Sequence, residues 1–189
     1  MNSRVDHFLF KGAKGLSANI GATEISNQSS ATDRIAARFA ATAHGFLAGS
    51  NCLIRGTVNY NGMHRIHEVD TNIIDAIVNK YVSGETPGGI GAETVAVGVV
   101  YDGDWELLGF EIHLDTASAT AENLTITRDA EAGAQYDTIL HTLAMDTLQN
   151  KLEVFANPIQ MSGKDAAVFA WANTNNRTWG IRVISRRRS

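Results

Sequence analysis

The six histidines of this chain raise the question of a metal site. His64 and His67 form a His-x-x-His motif within a run of residues patterned as a strand. An odd spacing on a strand directs the two side chains to opposite faces of the sheet, so the pair cannot share one ion. Packing at the surface or between subunits is the better interpretation. His44 precedes Gly45 in a turn, where its imidazole is expected to hydrogen-bond to the backbone. The sequence therefore predicts no metal ligand.

Acidic and hydroxyl side chains could carry out hydrolysis, but their spacing does not favour it. The segment 102–106 has three carboxylates at a spacing of two. A calcium loop draws about six to eight oxygens from a longer stretch, so a tight hairpin turn is predicted instead. Glu111 and Asp115 are assigned to the polar face of a strand, since nothing indicates the cleft that a glycosidase needs. Three serines in predicted loops lack a G-x-S-x-G frame and a partner histidine: Ser50, Ser118 and Ser162. The chain is predicted not to be an enzyme and to use no cofactor.

Three tryptophans and one cysteine complete the set of residues with specific chemistry. Trp105, Trp171 and Trp179 fall on three different predicted strands, where core packing is expected; if exposed, they would form a sugar-binding platform. Cys52 excludes a disulfide within the chain and a zinc site built from several cysteines. Its apolar neighbours predict a small buried side chain.

Composition limits the classes of partner. The chain has 189 residues, a net charge of −4, 44% hydrophobic residues and 19% charged residues. It can form a core, and its weak negative charge offers no field for nucleic acid or anionic lipid. The basic cluster at 186–188 is interpreted as a solvated tail, with docking or phosphate contact as the alternative. No apolar run reaches the roughly 20 residues that span a bilayer, and the N-terminus lacks a signal-peptide pattern. We therefore expect synthesis in a cytoplasm, without membrane contact.

Period-two alternation of apolar and polar residues dominates the chain from residue 93 to its end. Val95, Val97, Val99 and Tyr101 share one predicted face, and short strands follow up to Ser185, including separate strands at 151–155 and 158–161. Many short antiparallel strands separated by turn residues predict a β-sandwich that resembles a jelly roll, residues 93–189. Six side chains are predicted to lie inside it: Phe110, Ile112, Leu124, Ile126, Val168 and Ile181.

The N-terminal segment, residues 1–34, has little periodicity and many small polar residues. It predicts an extended arm that a neighbouring subunit orders, because it offers little apolar area to offset the entropy of ordering. Phe8, Leu9 and Phe10 form an apolar cluster that would be a liability in water, so they are the predicted assembly contacts. Farther along, four glycines and a proline predict a linker at residues 84–92.

Residues 35–83 form a small unit whose local pattern is ambiguous. Intrinsic propensity favours helices at 35–43 and 73–82, on either side of a hairpin whose turn contains Asn61-Gly62. The segments Ala43-His-Gly-Phe46, Gly56-Thr-Val-Asn-Tyr-Asn-Gly-Met-His-Arg-Ile66 and Tyr81-Val82, with Val69 and Ile74-Asp75, instead resemble a small β-module of tailed-phage structural proteins. The match departs at Val58, Met63 and Ile74. This resemblance implies that both helix-like flanks, 35–46 and 73–82, are mainly strand.

The C-terminal part also resembles a phage virion domain. The similar stretches are Trp105-Glu-Leu107, 120–127, 134–137, 163–166, 172–174 and 177–180. Both resemblances imply an all-β protein, a small β-module followed by an antiparallel β-sandwich. They imply a structural component of the virion, made in the host cytoplasm and assembled as a homo-oligomer with capsid, neck or tail proteins. The alternative is an adhesin that binds a host glycan. An enzyme such as a depolymerase is the third hypothesis.

Overall fold

The computed structural model describes residues 3–11, 17–19, 26–27, 35–85 and 94–188. These ranges contain fifteen β-strands and one 3-10 turn, Ala134–Tyr136. The strands are β1 Ser3–Lys11, β2 Ser17–Asn19, β3 Ser26–Asn27, β4 Ala36–Ala40, β5 Asn51–Arg55, β6 Gly62–Asp70, β7 Ile73–Ile77, β8 Thr94–Ala96, β9 Gly98–Val100, β10 Trp105–Leu114, β11 Asn123–Asp129, β12 Thr138–Ala144, β13 Asn150–Met161, β14 Ala166–Trp171 and β15 Thr178–Arg187. The prediction of an all-β chain is confirmed.

The chain folds into two compact units whose boundaries differ from the predicted ones. The first unit combines residues 1–16 with residues 97–189, and the second comprises residues 17–96. The predicted arm at 1–34 is thus divided between the units, and β1 is a strand of the first. The predicted sandwich strand at 95–101 is also divided, because β8 belongs to the second unit and β9 to the first. Most of the predicted linker, residues 86–92, lies outside the described residues.

The first unit is a sandwich of two four-stranded antiparallel sheets, with strand orders β1-β15-β10-β13 and β12-β11-β14-β9. Along the chain, the strands alternate between the sheets except at the β11-β12 hairpin. This is the topology of an eight-stranded jelly roll. In the sequence, the second unit is inserted between β1 and β9, which are the first two strands of the sandwich. The predicted antiparallel sandwich is confirmed.

The core of the sandwich is built from aromatic and branched side chains of both sheets. Phe110 of β10 meets Phe169 of β14 with ring centroids 5.9 Å apart, and Trp171 meets Trp179 at the same 5.9 Å. The six side chains predicted to lie inside are all buried. Val168, however, alternates with the core residue Phe169 and lies on the opposite side of β14, so its predicted place between the sheets is wrong. For the other five, alternation identified the inner face of β10, β11 and β15.

Strand β13 is continuous where the sequence predicted two strands. Its register against β10 shifts between Leu107, which pairs with Ile159, and Gly109, which pairs with Val154. A bulge of this kind lets a strand bend without ending. The separation predicted at 155–158 is this irregularity, and not a turn.

The second unit contains an antiparallel sheet of order β2-β8-β5-β6-β7-β4-β3 within the described residues. The helix-like segments carry strands β4 and β7, which pair directly, so strand instead of helix is confirmed. The strands are shorter than predicted, because they cover only 36–40 of 35–46 and 73–77 of 73–82. Arg38 donates to both carboxylate oxygens of Asp75 across this pair, at 2.7 Å each. Phe39 and Ile74 are buried beside it. Tertiary pairing has overridden local helix propensity.

Candidate functional site: assembly surfaces of the sandwich and the inserted unit

Phe8 is not an assembly contact, and that prediction is wrong. Strand β1 pairs with β15 over its whole length, and Phe8 lies opposite Ile181. Both side chains are buried in the sandwich core, with Phe8 only 3% exposed. Ordering this strand is favourable because β15 supplies backbone partners and a core supplies apolar contacts. The side chains of Leu9 and Phe10 lie outside the described part of the chain.

The histidines are placed by backbone hydrogen bonds. In His64, Nε2 lies 2.8 Å from the Tyr60 carbonyl and Nδ1 lies 3.1 Å from the Ile77 carbonyl, while His67 is exposed. In His44, which is buried, Nδ1 accepts from the Phe46 amide at 3.0 Å and Nε2 lies 2.6 Å from the Asp70 carbonyl. Among the described residues, no three histidine, cysteine or acidic side chains are grouped as metal ligands would be.

The hydrogen bonds of His44 predict an acid-sensitive step. The Phe46 amide donates to Nδ1, so only the neutral ring satisfies this geometry, and burial lowers the pKa of His44. Below the unfolded-state pKa of about 6.5, the unfolded chain binds more protons than the folded chain, so stability falls as the pH falls. We expect the free energy of unfolding to decrease from about pH 7.5 to about pH 5.5 more in the wild type than in His44→Gln. Denaturant titrations at both pH values measure the free energy of unfolding. An equal decrease in the wild type and in His44→Gln would contradict the prediction.

The remaining candidates for catalysis have structural contacts. The Gly163 amide donates to Asp104 at 3.1 Å, which ties two loops together. Ser50 and Ser118 donate to backbone carbonyls of Asn51 and Thr120. Cys52 is buried, and burial raises the pKa of its thiol to about 12. The thiol is therefore held in its unreactive protonated form.

The tryptophans do not form a sugar-binding platform. Trp105, Trp171 and Trp179 are at most 1% exposed. The indole nitrogen of Trp105 donates to the Asp165 carbonyl at 3.2 Å, as buried indoles commonly do. Core packing, the expected role, is the observed one.

The Asn-Tyr-Asn-Gly motif forms a tightly bonded loop between β5 and β6. Asn61 Oδ1 accepts from the amide and the hydroxyl of Thr57, at 2.9 and 3.0 Å. The carboxylate of Glu85 accepts from the amides of Val58 and Asn59, at 2.6 and 3.1 Å. The loop thus holds its tip in one conformation and leaves Val58 86% exposed.

Tyr60 anchors this loop to the segment that follows β7. Its ring packs edge-on against Phe39 at 5.4 Å, and its hydroxyl donates to the Val82 carbonyl at 2.9 Å and accepts from the Val82 amide at 2.8 Å. Tyr60→Phe keeps the ring and removes both bonds, so we expect a loss of about 2 kcal/mol of unfolding free energy. The exposed Tyr136→Phe is the matched control, with a change within about 0.5 kcal/mol. Equal effects of the two substitutions in denaturant unfolding would show that the hydroxyl of Tyr60 does not anchor the loop.

The outer side of the sheet β1-β15-β10-β13 carries a second exposed surface. Side chains on this side alternate with the buried ones and form two rows across the four strands. We call it the open face and define it by these rows: Val5, Ile184, Gly109 and Val154, and then His7, Arg182, Glu111 and Leu152. Val5, Leu152 and Val154 are 41%, 59% and 64% exposed. Three branched aliphatic side chains therefore meet solvent on one side of one sheet.

Between residues 151 and 154, strand β13 places its apolar side chains outward and its charged side chains inward. Lys151 and Glu153 lie opposite the core residues Ile112 and Phe110, so they point inward at the sheet edge. Their charged groups pair with each other at 3.5 Å. Charges that point inward protect an edge strand from uncontrolled pairing. As a consequence, Leu152 and Val154 project from the open face.

The charges on and beside the open face are balanced. Within the rows, Arg182 Nη1 lies 3.4 Å from the Glu111 carboxylate, and both side chains are about half exposed. Beside the rows, Glu106 accepts from Gln160 at 2.9 Å and pairs with Arg186. The hydrogen bond from Gln160 and then the Arg186 guanidinium lower the pKa of Glu106. The C-terminal arginines are thus partly engaged, since Arg187 also donates to the Asp102 carbonyl.

Comparison with known proteins gives no match to a protein-family model, a curated protein or a solved structure. In the described ranges, no helix has the length and apolar character needed to cross a membrane.

Proposed function

We propose that the protein is a non-enzymatic structural component of a tailed-phage virion that joins other virion proteins as a symmetric oligomer. The observation that carries the proposal is the open face, where Val5 of β1 and Leu152 and Val154 of β13 remain exposed on one side of one sheet. Several exposed apolar side chains on one face of a folded domain favour a binding surface. The proposal places synthesis in the host cytoplasm and the mature protein on the capsid, neck or tail.

The jelly roll and its inserted unit support this role. The loop 57–61 holds Val58 at an exposed tip through the Glu85 and Asn61 contacts, which is suited to repeated docking because little order is lost on binding. The resemblance of this loop and its flanks to a phage β-module gives the virion context. A structural protein needs such preorganised surfaces, and it needs no group of reactive side chains.

The adhesin hypothesis has less support. Its platform would consist of exposed aromatic side chains, and the three tryptophans are buried. Among the described side chains, Tyr136 is the large aromatic with substantial exposure, at 59%. A single ring gives a glycan one stacking surface and no cleft.

The test uses particles of the phage that encodes this chain. Mass spectrometry of purified particles is expected to detect the protein at a fixed copy number per particle, a multiple of the local symmetry. A difference map between wild-type particles and particles from a gene deletion is expected to place its density on the capsid, neck or tail. Absence from purified particles, with the protein recovered only from the soluble lysate, would contradict the proposal.

A further inference from the structure

We propose that the open face is a two-fold interface between two copies of this chain. The inference deepens the proposed function, because it names the surface through which the symmetric oligomer forms. It rests on the arrangement of the two rows of side chains, which complement themselves when one sheet is laid on another.

The two-fold axis runs parallel to the strands, midway between β15 and β10. This operation keeps each row in place and reverses the order of the strands. Strand β1 then lies over β13 of the partner subunit, and β15 lies over its β10. Interfaces of this isologous kind need one surface that fits itself.

Shape complementarity follows from the first row, which reads Val5, Ile184, Gly109, Val154. Under the two-fold, Ile184 lies over Gly109 of the partner subunit, and Val5 lies over Val154 of the partner subunit. Gly109 has no side chain and packs closely against the backbone of β13, so no side chain of the partner subunit projects from this position toward the half-buried Ile184. Each valine at an outer strand gains an apolar neighbour, which removes its exposed area from water.

Charge complementarity follows from the second row, which reads His7, Arg182, Glu111, Leu152. The same operation places Arg182 over Glu111 of the partner subunit, and Glu111 over Arg182 of the partner subunit. The four groups then alternate in sign, which extends the 3.4 Å pair within each chain into a network. A face with equal positive and negative charge fits a second copy better than it fits a strongly acidic or basic partner.

The available area is sufficient for a dimer. Four strands spaced by about 4.8 Å, each about nine residues long, give a face of about 600 Å² per subunit. This projected area is at the lower end of what specific interfaces bury from each partner. The contact is therefore expected to be of moderate affinity and to depend on protein concentration.

The decisive experiment mixes two charge variants of the full chain. Arg182→Glu and Glu111→Arg each create like charges across the two-fold, so each alone is expected to dissociate at least about tenfold more readily than the wild type. Mixed in equal amounts, they place glutamate opposite arginine at both contacts and are expected to recover a heterodimer of near wild-type affinity. Sedimentation velocity over a concentration series measures all three samples. A merely intrachain ion pair predicts no recovery on mixing.

Control variants test the apolar row independently. Val154→Glu is expected to weaken association at least about tenfold, whereas Ile139→Glu, at an equally exposed position on β12 of the other sheet, is expected to leave it unchanged. Far-UV circular dichroism of each variant verifies the fold.

A wild-type chain that is monomeric at all concentrations, or mixed variants that fail to associate, would overturn the interface. A monomer that is still found in purified particles would overturn the interface alone; a dimer absent from particles would overturn the virion role alone.

Discussion

Gly109→Ala is expected to reduce the unfolding free energy of the sandwich by about 3 kcal/mol. A Cβ atom at this position would lie 2.2 Å from the Glu153 carbonyl oxygen and 3.1 Å from Val154 Cα. Both atoms belong to the backbone of β13, which is hydrogen-bonded to β10, so neither can move without breaking the pairing. The bulge between β10 and β13 therefore requires glycine at position 109, because the β13 backbone leaves no room for a Cβ atom.

Gly163→Ala is the matched control for this prediction. Gly163 has a φ of +42°, and a Cβ there meets nothing within 4 Å. Only backbone strain applies, and a loss of about 1 kcal/mol is expected. Denaturant unfolding gives both values, and hydrogen exchange at residues 150–154 reports the loss of β13 pairing. If Gly109→Ala costs no more than Gly163→Ala, β13 adjusts to the added atom and the close approach does not constrain the strand.

The sandwich was predictable from sequence because its central strands alternate regularly. In β10, Phe110, Ile112 and Leu114 point inward and polar residues point outward, as the period-two pattern requires. Topology was less accessible. Nothing in the sequence indicates that β1 and β15, near opposite ends of the chain, are hydrogen-bonded neighbours. Local patterns carry no information about a pairing that a whole inserted unit separates.

Strand β1 escaped prediction because one of its inward positions is a carboxylate. Among the described side chains of β1, Asp6 and Phe8 are buried and Val5 is exposed, so these positions show no simple apolar face. The buried Asp6 is satisfied by Arg4, whose Nε donates at 3.0 Å, and by the Tyr101 hydroxyl at 3.4 Å. Burial in turn raises the pKa of Tyr101. A buried charge is tolerated only with such partners, and Tyr101, which is 95 residues away along the chain, cannot be identified as one from the sequence.

The open face was missed for a related reason. Leu152 and Val154 lie in the predicted strand 151–155, where apolar side chains on alternate positions would normally point inward. The register of β13 sends Lys151 and Glu153 inward instead, which depends on pairing with β10. Short β-strand segments in the inserted unit show the opposite case: the resemblance to a β-module assigned β4 and β7 correctly against helix propensity. Register and tertiary pairing, and not composition, decided both outcomes.

Phe110→Ala is expected to cause the largest loss, about 4 kcal/mol of unfolding free energy. The Phe110 ring lies between the two sheets, with centroids 5.9 Å from Phe169, 6.0 Å from His141 and 6.3 Å from Phe155. Removing it leaves a cavity. The backbone of β10 is hydrogen-bonded to β13 and β15 and cannot move in to fill the cavity, so the loss of contacts adds to the loss of burial. Phe110→Leu keeps much of the apolar volume and is expected to lose about 1.5 kcal/mol.

The exposed Tyr136→Ala controls for the removal of an aromatic ring from the same unit, with an expected change within about 0.5 kcal/mol. Equilibrium unfolding of the four proteins, followed by near-UV circular dichroism, orders them by stability. The expected order is wild type and Tyr136→Ala together, then Phe110→Leu, then Phe110→Ala. If Phe110→Ala were as stable as Tyr136→Ala, β10 and β14 would not be packed through the Phe110 ring.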